Sequence, residues 1–413
     1  MSSQKNRIFA VEMTKNEAIS MKYIKSLLVL FVLVFTMSSC GNSEEPVPVK
    51  DNDKTVLMYL PWSTNLTSYF YQNIKDMEAC IESMGGLSDQ RVLVFLSESP
   101  TEASLFEIKI ENGACQRVPL KSYQNPAVTT KDGIVEILDD MKTAAPARTY
   151  SMIIGCHGMG WLPVNSAQKS RSTEKFHWDY DSSILTRYFG GTTADFQTDI
   201  STLADAISSA GLKMEYILFD DCYMSSIEVA YELKDVTDYL IASTCEVMAY
   251  GMPYETMGRH LLGTPDYAAV CDDFYEFYSN YTAMPCGTLS VTDLAHIDQM
   301  AALMKRINTS CVFDENWITL IQNLDGYSPT IFYDFGDYVS LIIDRNQSTP
   351  DLAAEFKSQL DRLILYKTHT DRFYTASRGP LKLNRYSGIT TSDPSTSRKA
   401  ADKTTTKWYR ATH

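Results

Sequence analysis

Short runs of aliphatic and β-branched residues alternate with helix-forming segments along most of the chain, and this alternation limits the possible folds most strongly. The first run is followed by helical spacing that ends at a pair of glycines, and the same order then recurs. The runs predicted to be strands are TVLMYL (55–60), RVLVFL (91–96), SMIIGC (151–156), EYILFD (215–220) and YLIAS (239–243). Because helices that connect parallel strands cover both faces of a sheet, we expect an α/β fold with a mostly parallel sheet flanked by helices on both faces.

Two side chains suited to nucleophilic catalysis follow two of these runs. His157 comes directly after SMIIGC, and Cys222 comes just after EYILFD. Carboxyl ends of parallel strands share one edge of a sheet, so the imidazole and the thiol meet if the two strands are neighbours. A nearby histidine accepts the thiol proton during attack. The pattern makes Cys222 a candidate nucleophile and His157 a candidate acceptor of its proton, with the amides of Gly158 and Cys222 as candidate oxyanion donors.

Each of these residues also has an ordinary structural explanation. A His-Gly pair after a strand is typical of turns, and a strand-end cysteine is often a small core residue. Cys156 is the competing nucleophile, but alternation along a strand points it away from the neighbouring His157. The other cysteines outside the N-terminal region show no spacing typical of a metal site or of a disulfide framework, so no metal site is predicted.

The segments around the histidine and the cysteine resemble two elements of the clostripain family of cysteine peptidases. HGMGW (157–161) is similar to the His-Gly-x-Gly-Trp element, and FDDCYMSSIEVAYEL (219–233) is similar to the segment that contains the family's cysteine. VLMYLPWSTNL, IASTCEVMAYGMPY and FYDFGDYV resemble three further stretches. The resemblance implies a caspase-like fold for a peptidase core at 54–260, with His157 as general base and acid and Cys222 as nucleophile. We interpret residues 261–413 as a mainly helical C-terminal subdomain.

The resemblance also implies cleavage after basic residues. By position, Asp220 matches the family's acidic residue that binds a substrate Arg or Lys through a charge-assisted hydrogen bond. Glu246 is the acid retained in the following loop, and it is the second candidate for substrate binding. The other acids of the family pattern are missing from that loop, so a less charged pocket shaped by Met248 and Met252 remains an alternative.

Activation by self-cleavage is a further implication of the resemblance. The loop at 164–198 lies between the histidine and the cysteine, and its candidate cleavage residues are Lys169, Arg171 and Lys175. No cofactor is expected; calcium stays open only by analogy with some relatives, because no Asp-rich loop like an EF-hand is present.

The C-terminal third contains weaker patterns. Apolar spacing predicts helices at 262–281, 293–309 and 350–367. TLSVTDL (288–294) and RYSGITT (385–391) are candidates for strands added to the core sheet.

The N-terminal residues predict export and a lipid anchor. Two lysines precede an apolar run at 27–35, which is too short to span a bilayer and is typical of a signal peptide. The following MSSCG resembles a bacterial lipobox, so the signal region is 1–40 and Cys40 is the lipidated residue. Residues 41–53 have the polar, proline-containing composition of a tether, and their glutamates resemble surface signals of Bacteroidetes lipoproteins. We expect an outer-membrane lipoprotein facing the periplasm or the cell surface.

The charge balance excludes one class of partner. The chain has 37 basic and 51 acidic residues and a net charge of -14, and it lacks basic stretches with interleaved aromatics, so nucleic acid is not expected to bind.

The predicted function is an exported cysteine endopeptidase that acts on proteins or peptides. Two alternatives remain open: a binding lipoprotein that keeps the peptidase fold without activity, and an unrelated hydrolase in which Cys222 attacks esters or amides.

Overall fold

The computed structural model describes residues 52–164, 190–347 and 350–413, and a nine-stranded sheet lies at its centre. Numbered along the chain, the strands of this sheet are β1 (Asn52–Leu60), β2 (Gln90–Ser97), β3 (Glu102–Glu111), β4 (Ala114–Gln124), β5 (Ala147–Ile154), β6 (Met214–Phe219), β7 (Thr237–Ala242), β8 (Thr288–Asp293) and β10 (Ile364–His369). Their order is β10-β8-β7-β6-β5-β1-β2-β3-β4. The five central strands, β7, β6, β5, β1 and β2, are parallel to one another. Two further strands extend the sheet at each edge by antiparallel pairing. The predicted α/β fold with a mostly parallel centre is confirmed.

Helices cover both faces of the sheet. They are α1 (Thr67–Ser83), α2 (Lys131–Ala144), α3 (Ile200–Ser209), α4 (Ile227–Leu233), α5 (Tyr254–Leu261), α6 (Tyr267–Asn280), α7 (Ile297–Ser310), α8 (Phe335–Arg345), α9 (Pro350–Leu363) and α10 (Lys407–Thr412). Successive side chains of β1 belong to different apolar clusters: Leu57 and Tyr59 pack with α2, α3, α4 and α7, whereas Val56 and Met58 pack with α1, α5 and α6. Both faces of the central strands are therefore buried, which explains why their sequences are continuously apolar.

Helix α2 illustrates how local sequence sets these elements. Its buried residues Ile134, Ile137, Leu138 and Met141 are spaced as one face of a helix requires. The helix begins after Thr130, whose side chain accepts a hydrogen bond from the backbone N–H of Gly133. Capping and apolar spacing therefore agree on where this helix starts and which face it buries.

The C-terminal region contributes to the central sheet as well as to its helical cover. TLSVTDL forms β8, as expected, and β10 adds a further edge strand. RYSGITT does not join this sheet: its strand β13 (Thr390–Thr391) pairs with the short β9 (Tyr333–Asp334) in a separate two-stranded sheet. The reason is that the Thr390 amide bonds to the carbonyl of Ser225, in the segment before α4. The remaining short strands, β11 (Arg372–Thr375) and β12 (Gly379–Lys382), form a hairpin. The boundary between the peptidase core and the C-terminal subdomain, at 260/261, stays a prediction.

Several N-terminal predictions fall outside the described residues. The signal region and Cys40 lie there, and so does most of the proposed tether; β1 already begins at Asn52. Among the residues that the structure describes, none of the helices combines the length and the apolar character needed to span a membrane.

Candidate active site

The loops that carry His157 and Cys222 leave the central sheet at the same edge. β5 and β6 are parallel neighbours with Ile154 opposite Phe219. His157 lies three residues beyond the end of β5, and Cys222 lies three residues beyond the end of β6. The prediction that these two strands are neighbours is confirmed, and with it the condition on which the proposed pairing of imidazole and thiol depends.

Gly158 shows how closely the two loops approach. A Cβ built on Gly158 would lie 2.8 Å from Asp221 Cβ and 2.9 Å from the backbone nitrogen of Cys222, and it would lie closer still to the Cys222 carbonyl oxygen. Contacts this short are not tolerated in a packed interior, so only glycine fits. In the structure this glycine lets the backbone of Cys222 approach the loop that carries His157. Its role as an oxyanion donor stays a prediction.

The sulfur of Cys222 lies in a buried, largely apolar environment and contacts the backbone of Val247. The backbone N–H of Val247 donates to Cys222 Sγ at 3.2 Å. Met159, Tyr223 and Phe332 belong to the same apolar cluster, and none of the Cys222 side chain is exposed. A backbone donor stabilises negative charge on sulfur, whereas the apolar cover excludes water in this state of the chain.

The residue after the cysteine has an unusual backbone. Tyr223 has φ = 61°, a left-handed conformation that is rare for a bulky residue. Its ring stacks on Phe332 with centroids 4.8 Å apart, and its hydroxyl donates to Glu246 Oε1 at 2.8 Å. These contacts hold a strained turn at the position that sets the direction of the Cys222 side chain, and such strain is typical of functional sites.

The segment that contains Phe332 is held by the buried carboxylate of Asp325. Asp325 accepts hydrogen bonds from the backbone N–H groups of Tyr327, Ile331 and Phe332, at 2.9, 2.8 and 2.6 Å. Burial raises the pKa of Asp325 from 3.8 to about 7, and these backbone donors oppose the shift only in part. No sequence pattern pointed to this residue.

His157 is also fully buried, and it is held at both its ring and its backbone. Its Nε2 lies 2.7 Å from Oδ1 of Asn65, and its backbone N–H donates to the Gly190 carbonyl at 3.1 Å. Sequence reasoning did not assign a role to Asn65. A signal was present, because Asn65 follows the β1 run, and β1 is the other neighbour of β5.

Asp221 directly precedes the cysteine, but it does not cap the helix that follows. Its Oδ1 accepts the backbone N–H of Cys156 at 2.6 Å, and Oδ2 lies 3.5 Å from the Cys156 sulfur. Helix α4 is instead capped by Ser226, which accepts the Val229 N–H. Asp221 therefore joins the loops that follow β5 and β6.

The two candidate substrate-binding acids are buried. Asp220 Oδ2 accepts the Tyr254 hydroxyl at 3.0 Å. Glu246 accepts the Tyr223 hydroxyl with one oxygen and the Ala376 N–H, at 3.0 Å, with the other. Glu246 thus links the strained turn to the C-terminal region, and the substrate-binding roles of both acids stay predictions. Met248 and Met252 are buried in the core cluster, which favours the packing interpretation for them.

The candidate cleavage residues Lys169, Arg171 and Lys175 lie outside the described residues, but both flanks of their segment are described. On one side the Val164 N–H donates to Asp199 Oδ1 at 2.7 Å, and on the other side Gly190 bonds to His157. Within the described ranges, no group of three or more His, Cys, Asp or Glu side chains could hold a metal ion, and no disulfide joins the eight cysteines there.

Comparisons with known proteins agree with the geometry. The model of the clostripain family matches residues 58–386. A secreted C11 cysteine protease from Bacteroides thetaiotaomicron, called iotapain, is 53% identical with a TM-score of 0.81, over 88% of this chain and 99% of that chain. A clostripain from the same species, in complex with the peptide inhibitor BTN-VLTK-AOMK, is 58% identical with a TM-score of 0.53, over 55% of this chain and 99% of that chain. An inactive zymogen C11 protease from Parabacteroides distasonis is 25% identical with a TM-score of 0.71, over 88% of this chain and 99% of that chain. A search of curated proteins found no match.

Proposed function

The chain belongs to the clostripain family of cysteine peptidases, and we propose that Cys222 and His157 are the dyad with which it hydrolyses peptide bonds. The observation that carries this proposal is the approach of the two loops at Gly158, which brings the backbone of Cys222 against the residue that follows His157. The parallel pairing of β5 and β6 supports it, since both loops leave the sheet in the same direction.

In the proposed reaction, His157 takes the thiol proton while Cys222 Sγ forms a bond to the substrate carbonyl carbon. The carbonyl electron pair moves to oxygen, where the amides of Gly158 and Cys222 stabilise the negative charge. When the C–N bond breaks, the imidazolium gives its proton to the leaving amine, and a thioester remains. Water then loses a proton to His157 and attacks the thioester, which releases the acid product and restores the thiol.

We further propose cleavage after lysine or arginine. The carboxylate of Asp220 lies two residues before Cys222 and accepts the Tyr254 hydroxyl, so it is fixed close to the nucleophile. A fixed carboxylate suits a cationic side chain at the residue whose carbonyl is attacked. The inhibitor bound to the 58% identical relative has the sequence VLTK, so a lysine precedes its AOMK group.

Activation by self-cleavage in the 164–198 loop completes this proposal. Neither reacting side chain is exposed in the intact chain, and the Parabacteroides distasonis relative is described as an inactive zymogen. If Lys169, Arg171 or Lys175 is the cleaved residue, replacing all three by glutamine prevents conversion to two fragments, whereas Cys222→Ala stays intact by itself and is cut by added active enzyme. Mass spectrometry of the products identifies the bond.

Lipid anchoring at Cys40, with the protein on the outer membrane, remains part of the proposal, and iotapain is described as secreted. Mass spectrometry of the mature N-terminus tests it directly.

The dyad is tested with fluorogenic peptides that carry Lys, Arg or Ala before the scissile bond, after cleavage of the loop is complete. We expect Cys222→Ala and His157→Ala to lower kcat/KM by more than about 10³-fold. Cys156→Ala is the matched control, because this second buried thiol faces Asp221, and it should retain the wild-type rate. Activity in Cys222→Ala would refute the assignment. Absence of both turnover and labelling by a peptide AOMK would favour the binding lipoprotein, and labelling without peptide cleavage would favour a different hydrolase.

A further inference from the structure

The loop between β1 and α1 approaches the imidazole from the side of the third parallel strand. β1 pairs with β5 on the side opposite to β6, so the residues after β1 reach the same edge of the sheet as His157 and Cys222. Asn65 lies in this loop, and its Oδ1 lies 2.7 Å from His157 Nε2. A carboxamide oxygen only accepts hydrogen bonds, so this contact requires the proton on Nε2.

This requirement determines which nitrogen is basic. A neutral imidazole carries one proton, and if Nε2 holds it, Nδ1 carries the lone pair that accepts a proton. The tautomer of a catalytic histidine is commonly set by the partner of its other nitrogen.

The Asn65 loop is itself held in an unfavourable conformation. Thr64 has φ = 71°, which is a marked outlier for a β-branched residue, and the Asn65 N–H turns back to the Ser63 carbonyl at 2.9 Å. Thr64 and Asn65 are exposed, so core packing does not fix them. Some other contact must maintain the turn.

That contact comes from residues 190–192, which follow the three candidate cleavage residues. The backbone N–H and the hydroxyl of Thr192 both bond to Thr64 Oγ1, at 3.3 and 3.2 Å. A Cβ on Gly191 would lie 3.3 Å from Thr64 Oγ1 and 3.3 Å from the Trp62 carbonyl, so the two segments are in direct contact. The Gly190 carbonyl accepts the His157 N–H. The backbone of His157 is therefore connected through residues 190–192 to Thr64. The next residue, Asn65, contacts the His157 ring and closes the circuit of contacts.

We propose that Asn65 is a positioning residue that holds His157 in the tautomer with its basic nitrogen at Nδ1, and that Thr192 locks the Asn65 loop for this task. The proposal rests on the proposed function of His157 as the base. It implies that residues 190–192 are part of the catalytic arrangement. They must stay bound to the Asn65 loop and to His157 after the 164–198 loop is cleaved.

The kinetic test compares Asn65→Ala, Asn65→Asp and Thr64→Val with the wild type. We expect Asn65→Ala to lower kcat by about 10- to 100-fold with KM nearly unchanged, because a misplaced imidazole slows chemistry more than binding. Thr64→Val keeps the side-chain shape without the hydroxyl, and we expect a smaller loss of the same kind. Asn280→Ala and Thr309→Val are matched controls on exposed helical positions far along the chain, and they should have no effect.

Asn65→Asp separates positioning from simple packing. A carboxylate stabilises the imidazolium, so the limb of the pH–rate profile that reports His157 should move upward by about one pH unit. A residue that only packs against the ring would not move this limb. An unchanged profile together with wild-type kcat in Asn65→Ala would overturn the proposal.

A spectroscopic readout keeps this test independent of peptidase activity. In the Cys222→Ala protein, ¹⁵N chemical shifts of the six labelled histidines report their tautomers, and His157→Gln assigns the relevant signal. We expect the proton of His157 on Nε2, and a mixture of tautomers once Asn65 is replaced by alanine. A proton found on Nδ1, or no change on replacement, would refute the role of Asn65 even if peptide cleavage were confirmed. Absence of peptide cleavage with the expected shifts would instead refute only the proposed function.

Discussion

Replacing Gly158 by alanine tests whether the contact between the two active-site loops controls the chemistry. The added methyl group would meet the backbone of Cys222 and Cβ of Asp221, at 2.9 and 2.8 Å, and the Cys222 carbonyl oxygen at a still shorter distance. These are backbone atoms or atoms adjacent to the backbone, so no flexible side chain can move out of the way. The amide of residue 158 remains, and therefore a donor to the oxyanion is not removed.

The expected magnitude follows from the distance by which the loops must separate. An ordinary carbon–oxygen contact is about 3.3 Å or longer, so the loops must move apart by about 1 Å. A displacement of about 1 Å between reacting groups costs about 100-fold in rate. Overpacking of this kind also destabilises a protein by about 1–3 kcal/mol. We expect Gly158→Ala to remain folded, with a lower Tm and with kcat/KM reduced about 100-fold.

Gly211→Ala is the matched control for this variant. Gly211 has φ = +67°, and a Cβ there would meet nothing within 4 Å, so alanine introduces backbone strain without a clash. The strain costs about 1–2 kcal/mol, similar to the loss expected at position 158. Both variants are compared by thermal unfolding and by kcat/KM on a peptide with lysine before the scissile bond. Wild-type kcat/KM in Gly158→Ala, or an equal loss of activity in Gly211→Ala, would refute the reasoning.

Three further predictions concern buried polar groups around the site. The pKa of Asp325 is about 7 in the folded chain against 3.8 when unperturbed, so the carboxyl group ionises at lower pH in the unfolded state. Between pH 4 and pH 7 we therefore expect the wild type to lose about 3 kcal/mol of unfolding free energy relative to Asp325→Asn. Urea denaturation at both pH values measures this difference. Glu246→Ala leaves the Tyr223 hydroxyl and the Ala376 amide without their acceptor, so we expect the free energy of unfolding to fall by about 2 kcal/mol or more. An unchanged Tm with a raised KM for lysine peptides would instead support substrate binding by Glu246. Tyr254→Phe removes a hydroxyl donor from Asp220 and should reduce the preference for lysine over alanine before the scissile bond about fivefold, and an unchanged kcat/KM ratio would argue against Asp220 as the specificity residue.

The central strands were readable in the sequence because burial on both faces leaves a continuous apolar run. β1 is continuously apolar from Val56 to Leu60 and β2 from Val92 to Leu96, and the predicted runs lie within these two strands. β4 was not predicted, since most of its side chains are exposed and it contains Pro119. Edge strands such as this one depend on a pairing partner rather than on their own apolar pattern.

The same contrast holds at the candidate site. Positions just beyond two apolar runs were enough to select His157 and Cys222, and the structure supplies the adjacency of their strands. The contact of Asn65 with His157 joins residues 92 positions apart, and that of Asp221 with Cys156 joins residues 65 positions apart. Neither contact follows a repeating pattern along the chain.

Local chemistry thus specified which segments become buried strands, which helices cover them and where a thiol and an imidazole leave the sheet, because burial and helical spacing are properties of neighbouring residues. The order of the strands selected the partners: Asn65 for the imidazole, Val247 for the sulfur and the backbone of Cys222 for Gly158. Such partners meet only when distant loops converge at one edge, and the distances between them are therefore a property of the folded chain.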